Sequence, residues 1–343
     1  MSKTIYYLGA GASYGLRDNN TKAIIEGIPV VAEIPFEFDA FRNYIANAEI
    51  PKGYISIWGM YQTSQADAER SKEYMLRDID NLIQGIKEHA TIDTYARKLF
   101  LTRRLRDFEQ LKAVLCAFFI WEQLEHKPDG RYDTFFANVL KEQTLDLPES
   151  ISIISWNYDS QLEIAYEAYK IKTSLPIYEK NIDTEWPKFK NKGLVFKVNG
   201  SATFANLQIV TTIKKDELAP MAVQLIQIYA NSRADTHLLG FQFRTHISFA
   251  WENSPNNDNM IKSIQEATKD TEQVVVIGYS FPFFNRETDR RIFSGMPNLK
   301  KIYIQDINPD AVNQSIHAVI PLEYKGDIVQ IANCSQFYLP NEL

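Results

Sequence analysis

Cysteine is scarce in this sequence, since only Cys116 and Cys334 occur in 343 residues. Two thiols can build neither a disulfide framework nor a zinc site with four thiolate ligands. Cys116 lies in an apolar run at residues 113–119, where a thiol packs as a small apolar group. We therefore expect no structural zinc and no metal cofactor.

Long hydrophobic runs are also missing. No apolar stretch approaches the roughly 20 residues that a membrane-spanning helix requires. The first apparent strand begins near Thr4, with no charged-then-apolar leader of the kind that directs secretion. These patterns predict a cytoplasmic protein that does not contact a membrane.

Positive charge is not in excess. Lys and Arg number 37 against 43 Asp and Glu, which gives a formal net charge of −6. A mainly electrostatic nucleic-acid binder should be basic overall or carry a clear basic patch. The basic run at residues 97–106 is typical of a solvated helix face, with nucleic-acid contact as the lesser alternative. We expect no direct binding of nucleic acid.

Short apolar runs alternate with helical periodicity along much of the chain. Residues 5–8 and 274–277 are purely apolar, as buried parallel strands are. Residues 34–145 show helical spacing, and residues 253–259 have the composition of a loop. Further strand-like runs occur at residues 151–156, 194–198, 207–210 and 301–306.

This alternation predicts an α/β fold, a Rossmann-like parallel sheet with a large helical insertion. We assign residues 1–33 and 146–343 to the Rossmann-like domain and residues 34–145 to the insertion. In such a sheet, ligands bind beyond the carboxyl ends of the strands. We therefore expect a binding site among the residues that follow the strands.

The first strand ends in Gly-Ala-Gly-Ala-Ser at residues 9–13. Glycines there let backbone N–H groups approach a phosphate closely, and a following helix would offer its positive end. The alternative is a tight turn before a helix, because the third glycine of the dinucleotide motif is missing. The position at the first strand-to-helix crossover favours phosphate binding.

Polar or small residues follow three other strands. Asn157 lies in Ser-Trp-Asn-Tyr-Asp at residues 155–159, and its amide can hold a ribose hydroxyl or a water. Asp159 has a simpler alternative role as a helix cap. Gly-Tyr-Ser at residues 278–280 ends the purest strand. Asp306 and Asn308 follow the next strand, either as ribose ligands or as ordinary loop residues.

Four separated segments, taken in order, resemble the sirtuin-like NAD-hydrolysing domain family, especially its bacterial members associated with antiviral defence. Residues 9–13 resemble the phosphate loop, and residues 155–159 resemble the Thr-x-Asn-x-Asp element. Residues 196–201 resemble the segment that ends in His-Gly-Ser, and residues 276–281 resemble the late Gly-Tyr-Ser strand. The similarity spans about residues 3–310.

The resemblance implies cleavage of the nicotinamide–ribose bond of NAD. By position, Asn157 would orient the nicotinamide ribose or the attacking water, and Asp159 would support the pocket. The other implied contacts are to the pyrophosphate from Gly9, Ala10, Gly11 and Ser13, to the adenosine side from Gly278, Tyr279 and Ser280, and to its ribose from Asp306 or Asn308.

One residue departs from the family pattern. Asn199 stands where the family has a catalytic His, and an amide cannot accept a proton at neutral pH. Loss of general-base catalysis typically lowers the rate by about 10²–10⁴-fold unless another group substitutes. Nicotinamide is an excellent leaving group, so electrostatic positioning alone can still give turnover. His246 and, more weakly, His237 are the candidates for a replacement base, although a structural role fits His246 better.

The resemblance, together with its departure at Asn199, leads to two main hypotheses of function. The first is an NAD glycohydrolase that acts in antiviral defence and is gated by homo-oligomerisation or by a separate sensor protein. The second is a catalytically inactive subunit that binds NAD or ADP-ribose and regulates a partner, because Asn199 replaces the His. A nucleotide-binding scaffold without preference for NAD is a third, weaker reading.

Overall fold

The computed structural model of the chain describes residues 3–57, 61–169, 175–179, 193–202, 219–232, 245–252 and 255–341. The chain folds into two compact units. The sheet unit comprises Met1–Ile28, Lys127–Ser201 and Ser248–Leu343, and the helical unit comprises Pro29–His126 and Ala202–Ile247.

Strands within the described residues fall into one large sheet and one hairpin. In chain order they are β1 (Lys3–Leu8), β2 (Tyr54–Ile57), β3 (Tyr61–Ser64), β4 (Ile151–Ser155), β5 (Ile177–Glu179), β6 (Val195–Lys197), β7 (Thr271–Ile277), β8 (Lys301–Gln305) and β9 (Asp327–Ile331). The sheet has the order β5-β6-β4-β1-β7-β8-β9, and all its neighbours are parallel. The predicted α/β fold with a Rossmann-like parallel sheet is confirmed.

The central strands are mostly apolar because both faces of the sheet are covered. Ile5 and Tyr7 of β1 pack in one buried cluster, together with Val274 and Val276 of β7. Tyr6 and its neighbours on the opposite face belong to a second cluster. A strand that is buried on both faces has mostly apolar residues, which is why the positions of these strands can be predicted from the sequence.

Helices occur in both units. The helical unit contains α1 (Ile34–Ala46), α2 (Gln65–Glu88), α3 (Ile92–Leu101), α4 (Leu105–Glu125) and, later in the chain, α7 (Met221–Ser232), together with the β2–β3 hairpin. The described helices of the sheet unit are α5 (Gly130–Val139), α6 (Gln161–Glu167), α8 (Pro255–Thr268), α9 (Arg286–Phe293) and α10 (Pro309–Ile316).

The boundaries of the two units differ from those predicted for the insertion at residues 34–145. Helix α5 belongs to the sheet unit, because Tyr132 and Phe136 share a buried cluster with Tyr6 of β1. Helix α7 belongs to the helical unit, where the hydroxyl of Tyr229 donates to the Asp78 carboxylate of α2. The helical unit is therefore built from two separate chain segments rather than one.

A predicted loop is helical instead. The loop prediction at residues 253–259 is wrong from Pro255 onwards, where α8 begins. A proline fits the first turn of a helix because the N–H it lacks would have no partner there. Asp258 then lies in the first turn, where its negative charge interacts favourably with the helix dipole. The strand predicted at residues 207–210 and the residue His237 lie outside the described residues.

Candidate functional site

The candidate site lies at the carboxyl edge of the sheet, where β1, β4 and β7 end side by side. Leu8 of β1 pairs with Ser155 of β4 and with Ile277 of β7, so the segments that follow emerge together. From β1 the chain continues to strands on one side, and it then crosses to β7 on the other side. Ligands of open α/β sheets bind at such a switch point.

Two glycine turns meet there: the first glycine turn (residues 9–13) and the second glycine turn (residues 278–280). The N–H of Gly11 donates to the carbonyl of Gly278 at 3.0 Å. A Cβ on Gly278 would lie 2.4 Å from Cα of Gly11, and one on Gly9 would lie 2.5 Å from the Gly278 oxygen. The glycines therefore permit the two backbones to touch.

This contact corrects part of the phosphate-loop prediction. Ala10–Ser13 forms a single turn of 3-10 helix, and the helix expected directly after it does not form in residues 14–33. The N–H of Gly11 is already donated to Gly278, and the N–H of Ala12 is donated to Gly9. Ala10 and Gly11 are the partly exposed residues of the first glycine turn, whereas Ser13 is buried.

Asn157 connects the turn after β4 to the first glycine turn. Its side-chain Nδ2 donates to the carbonyl of Gly9 at 2.9 Å and to Oγ of Ser13 at 3.1 Å. Both N–H groups of the amide are thereby engaged, and Oδ1 is the atom that can accept from a ribose hydroxyl or a water. Two separately predicted segments are thus in direct contact through Asn157, which is 7% exposed.

Asp159 lies behind Ser13 and is also buried. Its Oδ1 accepts from Oγ of Ser13 at 3.1 Å and from the N–H of Gln161 at 3.0 Å, so it supports both the turn and the start of α6. Oγ of Ser13 also lies 2.9 Å from the hydroxyl of Tyr132 on α5. Burial raises the pKa of Asp159, and the charge of Lys197 opposes that rise.

Lys197 is a buried cation that sequence reasoning missed. It ends β6, and its Nζ donates to the main-chain carbonyl of Asp159 and lies 3.1 Å from Oε1 of Glu163. Burial alone would lower the pKa of Lys197, but Glu163, Asp159 and Glu179 together raise it. The signal in the sequence was a lysine within the apolar run at residues 194–198.

Asn199 occupies the turn after β6, close to the turn after β4. Its Nδ2 donates to the carbonyl of Trp156 at 3.2 Å, and its own carbonyl accepts from the N–H of Ser248 at 2.8 Å. The side-chain Oδ1 is buried and has no hydrogen-bond partner among the described residues. A buried acceptor of this kind fits a ligand or water that can donate a hydrogen bond.

Of the remaining predicted contacts, Ser280 is exposed whereas Tyr279 points into the core. The ring of Tyr279 stacks on that of Trp156 at 5.6 Å, and its hydroxyl lies 3.0 Å from Oδ2 of Asp289. Asn308 caps α10 by accepting from the N–H of Ala311 at 3.3 Å, as an ordinary loop residue would. Asp306 accepts from the N–H of Asn308 at 2.8 Å, which forms a local turn.

Asp289 on α9 is a second buried group that the sequence did not reveal. The hydroxyls of Tyr7 and Tyr279 donate to it, and Nδ2 of Asn285 donates to the hydroxyl of Tyr279 at 3.0 Å. Burial raises the pKa of Asp289 to about 8, although the tyrosine hydrogen bonds favour the ionised form. The cluster fixes Tyr279 beneath the second glycine turn.

The raised pKa of Asp289 predicts a pH dependence of stability. A carboxyl whose pKa rises on folding favours the folded state below its unfolded pKa of 3.8, and that contribution is lost as pH rises through about 8. Asp289→Asn should therefore reduce the fall in the free energy of unfolding between about pH 5 and pH 9. Urea unfolding at a series of pH values measures this pH dependence. The control is Asp258→Asn, which changes an exposed carboxylate on α8. Parallel curves for wild type and Asp289→Asn would contradict the assignment.

An ion pair holds the first glycine turn from outside. Nη2 of Arg131 donates to the carbonyl of Gly11 at 2.8 Å, while its Nε lies 3.0 Å from both carboxylate oxygens of Asp129. Asp129 in turn accepts from the N–H of Gly15 at 2.7 Å. No sequence motif indicates this pair, which satisfies polar backbone groups of the turn.

His246, the proposed replacement base, is buried and belongs to the helical unit. Residues 246–249 around it are not part of a strand. No His, Cys, Asp and Glu cluster in the described part of the chain has the arrangement of a metal site. Among the helices that the structure describes, none is long and apolar enough to cross a membrane.

No protein-family model matches the chain, and a search of curated proteins also finds no match.

Proposed function

We propose that the chain is an NAD glycohydrolase that converts NAD and water into nicotinamide and ADP-ribose. The observation that carries this proposal is the Asn157 amide, which bonds to both Gly9 and Ser13 at the switch point of a parallel sheet. This arrangement agrees with the order of segments in the sirtuin-like family. It also leaves a hydrogen-bond acceptor on Asn157 for the substrate.

In the proposed reaction, the bond between ribose C1′ and the nicotinamide nitrogen breaks and nicotinamide leaves with the bonding electrons. Water supplies the oxygen that bonds to C1′, and its proton is released to solvent. Asn157 orients the nicotinamide ribose or this water, and Asp159 maintains the Ser13 hydroxyl beside it. Fixed dipoles of this kind stabilise an oxocarbenium-like transition state without proton transfer to the protein.

Product analysis tests the proposal. Purified protein is incubated with NAD, and nicotinamide and ADP-ribose are quantified by chromatography. The glycohydrolase produces the two compounds in equal amounts. ADP-ribose alone, or loss of NAD to other products, would contradict the reaction.

A second function is favoured by Asn199, whose amide cannot serve as a general base. In this proposal the chain binds NAD or ADP-ribose and regulates a partner without cleaving the ligand. The buried Oδ1 of Asn199, which lacks a partner among the described residues, would accept a hydrogen bond from the bound ligand. Binding measured by calorimetry supports this second function if no products form even when infected-cell extract is added.

The variant Asn199→His separates the two functions. In an inactive binding subunit, restoring the imidazole supplies the missing base, and the rate should rise by about 10²–10⁴-fold above background. An enzyme that relies on positioning by Asn157 should gain less than about tenfold. NAD consumption is measured for wild type and Asn199→His side by side, with Asn298→His, on an exposed loop, as control.

The resemblance extends the proposal to a role in antiviral defence. An enzyme that consumes NAD without restraint would kill its own cell, so activity is proposed to require a homo-oligomer or a separate sensor protein. The proposed setting is the cytoplasm, where the substrate is available. Size-exclusion chromatography with and without infected-cell extract tests whether assembly accompanies activity.

A further inference from the structure

A buried ammonium group lies directly beneath the candidate site. Lys197 is 1% exposed, and a buried charge is unfavourable unless it is paired and hydrogen-bonded. Its Nζ donates to the carbonyl of Asp159 and pairs with Glu163 at 3.1 Å. Lys197 therefore joins the end of β6 to the turn that carries Asn157 and Asp159.

The hydrogen bonds around Ser13 have a direction that depends on Asp159. Oγ of Ser13 has three polar neighbours, namely Tyr132 at 2.9 Å, Asp159 at 3.1 Å and Asn157 at 3.1 Å. A hydroxyl donates only one proton. An ionised Asp159 can only accept, so Ser13 donates to it and accepts from Tyr132 and from Nδ2 of Asn157.

That direction gives Nδ2 of Asn157 a second acceptor beside the carbonyl of Gly9. With Nδ2 held by Ser13 and Gly9, Oδ1 is presented as an acceptor. If Asp159 carried a proton, it could donate to Ser13, and the proton of Ser13 could then point toward Nδ2 of Asn157, which cannot accept it. The hydrogen bond from Asn157 to Ser13 would be lost, and the amide would keep only its bond to the carbonyl of Gly9.

Charged and titratable groups approach Asp159 from several elements. Lys197 faces it from β6, Glu163 from α6 and Tyr132 from α5. Glu179 on β5 acts on Lys197 rather than on Asp159, while Asp129 and Arg131 act on Tyr132. Burial disfavours the ionised carboxylate of Asp159, and Lys197 is the cation that opposes this effect.

We propose that Lys197 is a positioning residue, which fixes Asp159 as a hydrogen-bond acceptor and thereby keeps the Asn157 amide held by Ser13 as well as by Gly9, with Oδ1 toward the substrate. The inference rests on the proposed function for the identity of that substrate. The contacts among Lys197, Asp159, Ser13 and Asn157 do not depend on it. Lys197 itself touches no reacting atom in this account.

Kinetics of three variants test the effect on catalysis. Lys197→Met removes the charge at similar size, Lys197→Arg retains it, and Lys300→Met removes an exposed lysine paired with Glu272 on the surface. We expect Lys197→Met to lower kcat by on the order of 100-fold at neutral pH, with a KM for NAD within about threefold of wild type. The acidic limb of its pH–rate profile should move upward by at least about one unit.

The controls separate positioning from a merely structural effect. Lys197→Arg should recover part of kcat and the wild-type acidic limb, and Lys300→Met should match wild type throughout. A folded Lys197→Met protein with the wild-type rate and profile overturns the inference. So does a loss of activity that is independent of pH and not recovered by arginine.

A readout without NAD keeps the inference separate from the proposed function. Thermal unfolding is measured for wild type, Lys197→Met, Asp159→Asn and the double variant above about pH 6. In the Lys197→Met protein the carboxylate of Asp159 has lost its cation, so adding Asp159→Asn should raise the midpoint of thermal unfolding by several degrees. In the wild type, Asp159→Asn alone should lower that midpoint. If the midpoint changes of Lys197→Met and Asp159→Asn are additive, the role of Lys197 is overturned even in an active enzyme. If the two changes are coupled but the protein never cleaves NAD, only the glycohydrolase proposal is refuted.

Discussion

Replacing Asn157 with alanine is expected to lower kcat for NAD cleavage by at least about 100-fold. The variant removes the two hydrogen bonds that join the turn after β4 to the first glycine turn, and it removes Oδ1 as the acceptor for the substrate. Truncation also leaves the buried carbonyl of Gly9 without its side-chain donor. The measurement is the initial rate of nicotinamide release at saturating NAD.

Two further variants make the Asn157 result interpretable. Asn157→Asp retains the size of the side chain but turns an oxygen toward the carbonyl of Gly9, so we expect a loss as large as that of alanine. Asn298→Ala truncates an exposed asparagine of the same unit and should behave as wild type. If Asn157→Ala cleaves NAD at the wild-type rate while remaining folded, the site has been assigned to the wrong residues.

Gly278→Ala is expected to destabilise the protein by about 3 kcal/mol or more. The added Cβ would lie 2.4 Å from two backbone atoms of Gly11, and Gly278 has φ +58, which disfavours any other residue. Relief requires the two glycine turns to separate, which breaks the hydrogen bond from Gly11 to Gly278. Urea unfolding measures the loss, and affinity for NAD or ADP-ribose should fall with it.

Gly53→Ala is the matched control for the steric part of this effect. Gly53 has φ +91, but a Cβ there would meet no atom within 4 Å. Backbone strain alone should lower the free energy of unfolding by about 1 kcal/mol. Equal losses for Gly278→Ala and Gly53→Ala would show that the close approach of the two turns does not occur in solution.

The central part of the fold follows directly from the sequence. Strands β1, β4 and β7 each contain a short apolar stretch that is buried on both faces of the sheet, which is the pattern typical of parallel strands. Helix α5 was assigned to the wrong unit for a physical reason. Its aromatic residues are spaced as in any amphipathic helix, and spacing does not tell which core the apolar face meets.

The site was predictable in its location but not in its internal contacts. The strand ends named residues 9–13, Asn157, Asp159 and Asn199, and the structure brings the first three into one hydrogen-bonded group. The glycines were predicted to make room for a phosphate, whereas in the structure they make room for another part of the backbone. The sequence does not show which distant backbone segment approaches a glycine. Gly11 makes room for Gly278, which lies far along the chain.

Buried charges were the other omission. Lys197 and Asp289 each stand alone in apolar or mixed segments, and nothing nearby in the sequence identifies their partners. Lys197 pairs with Glu163, and Asp289 receives hydrogen bonds from Tyr7 and Tyr279, so both depend on contacts between distant segments. A charged residue within an apolar strand is the signal that would have found Lys197.

The most direct test of the central claim is the NAD content of cells that express wild type or Asn157→Ala. The genes that flank the coding sequence are co-expressed, and NAD is followed with and without phage infection. We expect NAD to fall in infected cells carrying the wild type and to stay constant with Asn157→Ala. Constant NAD in both, together with binding of NAD or ADP-ribose to the purified protein, would contradict the glycohydrolase and leave the regulatory subunit.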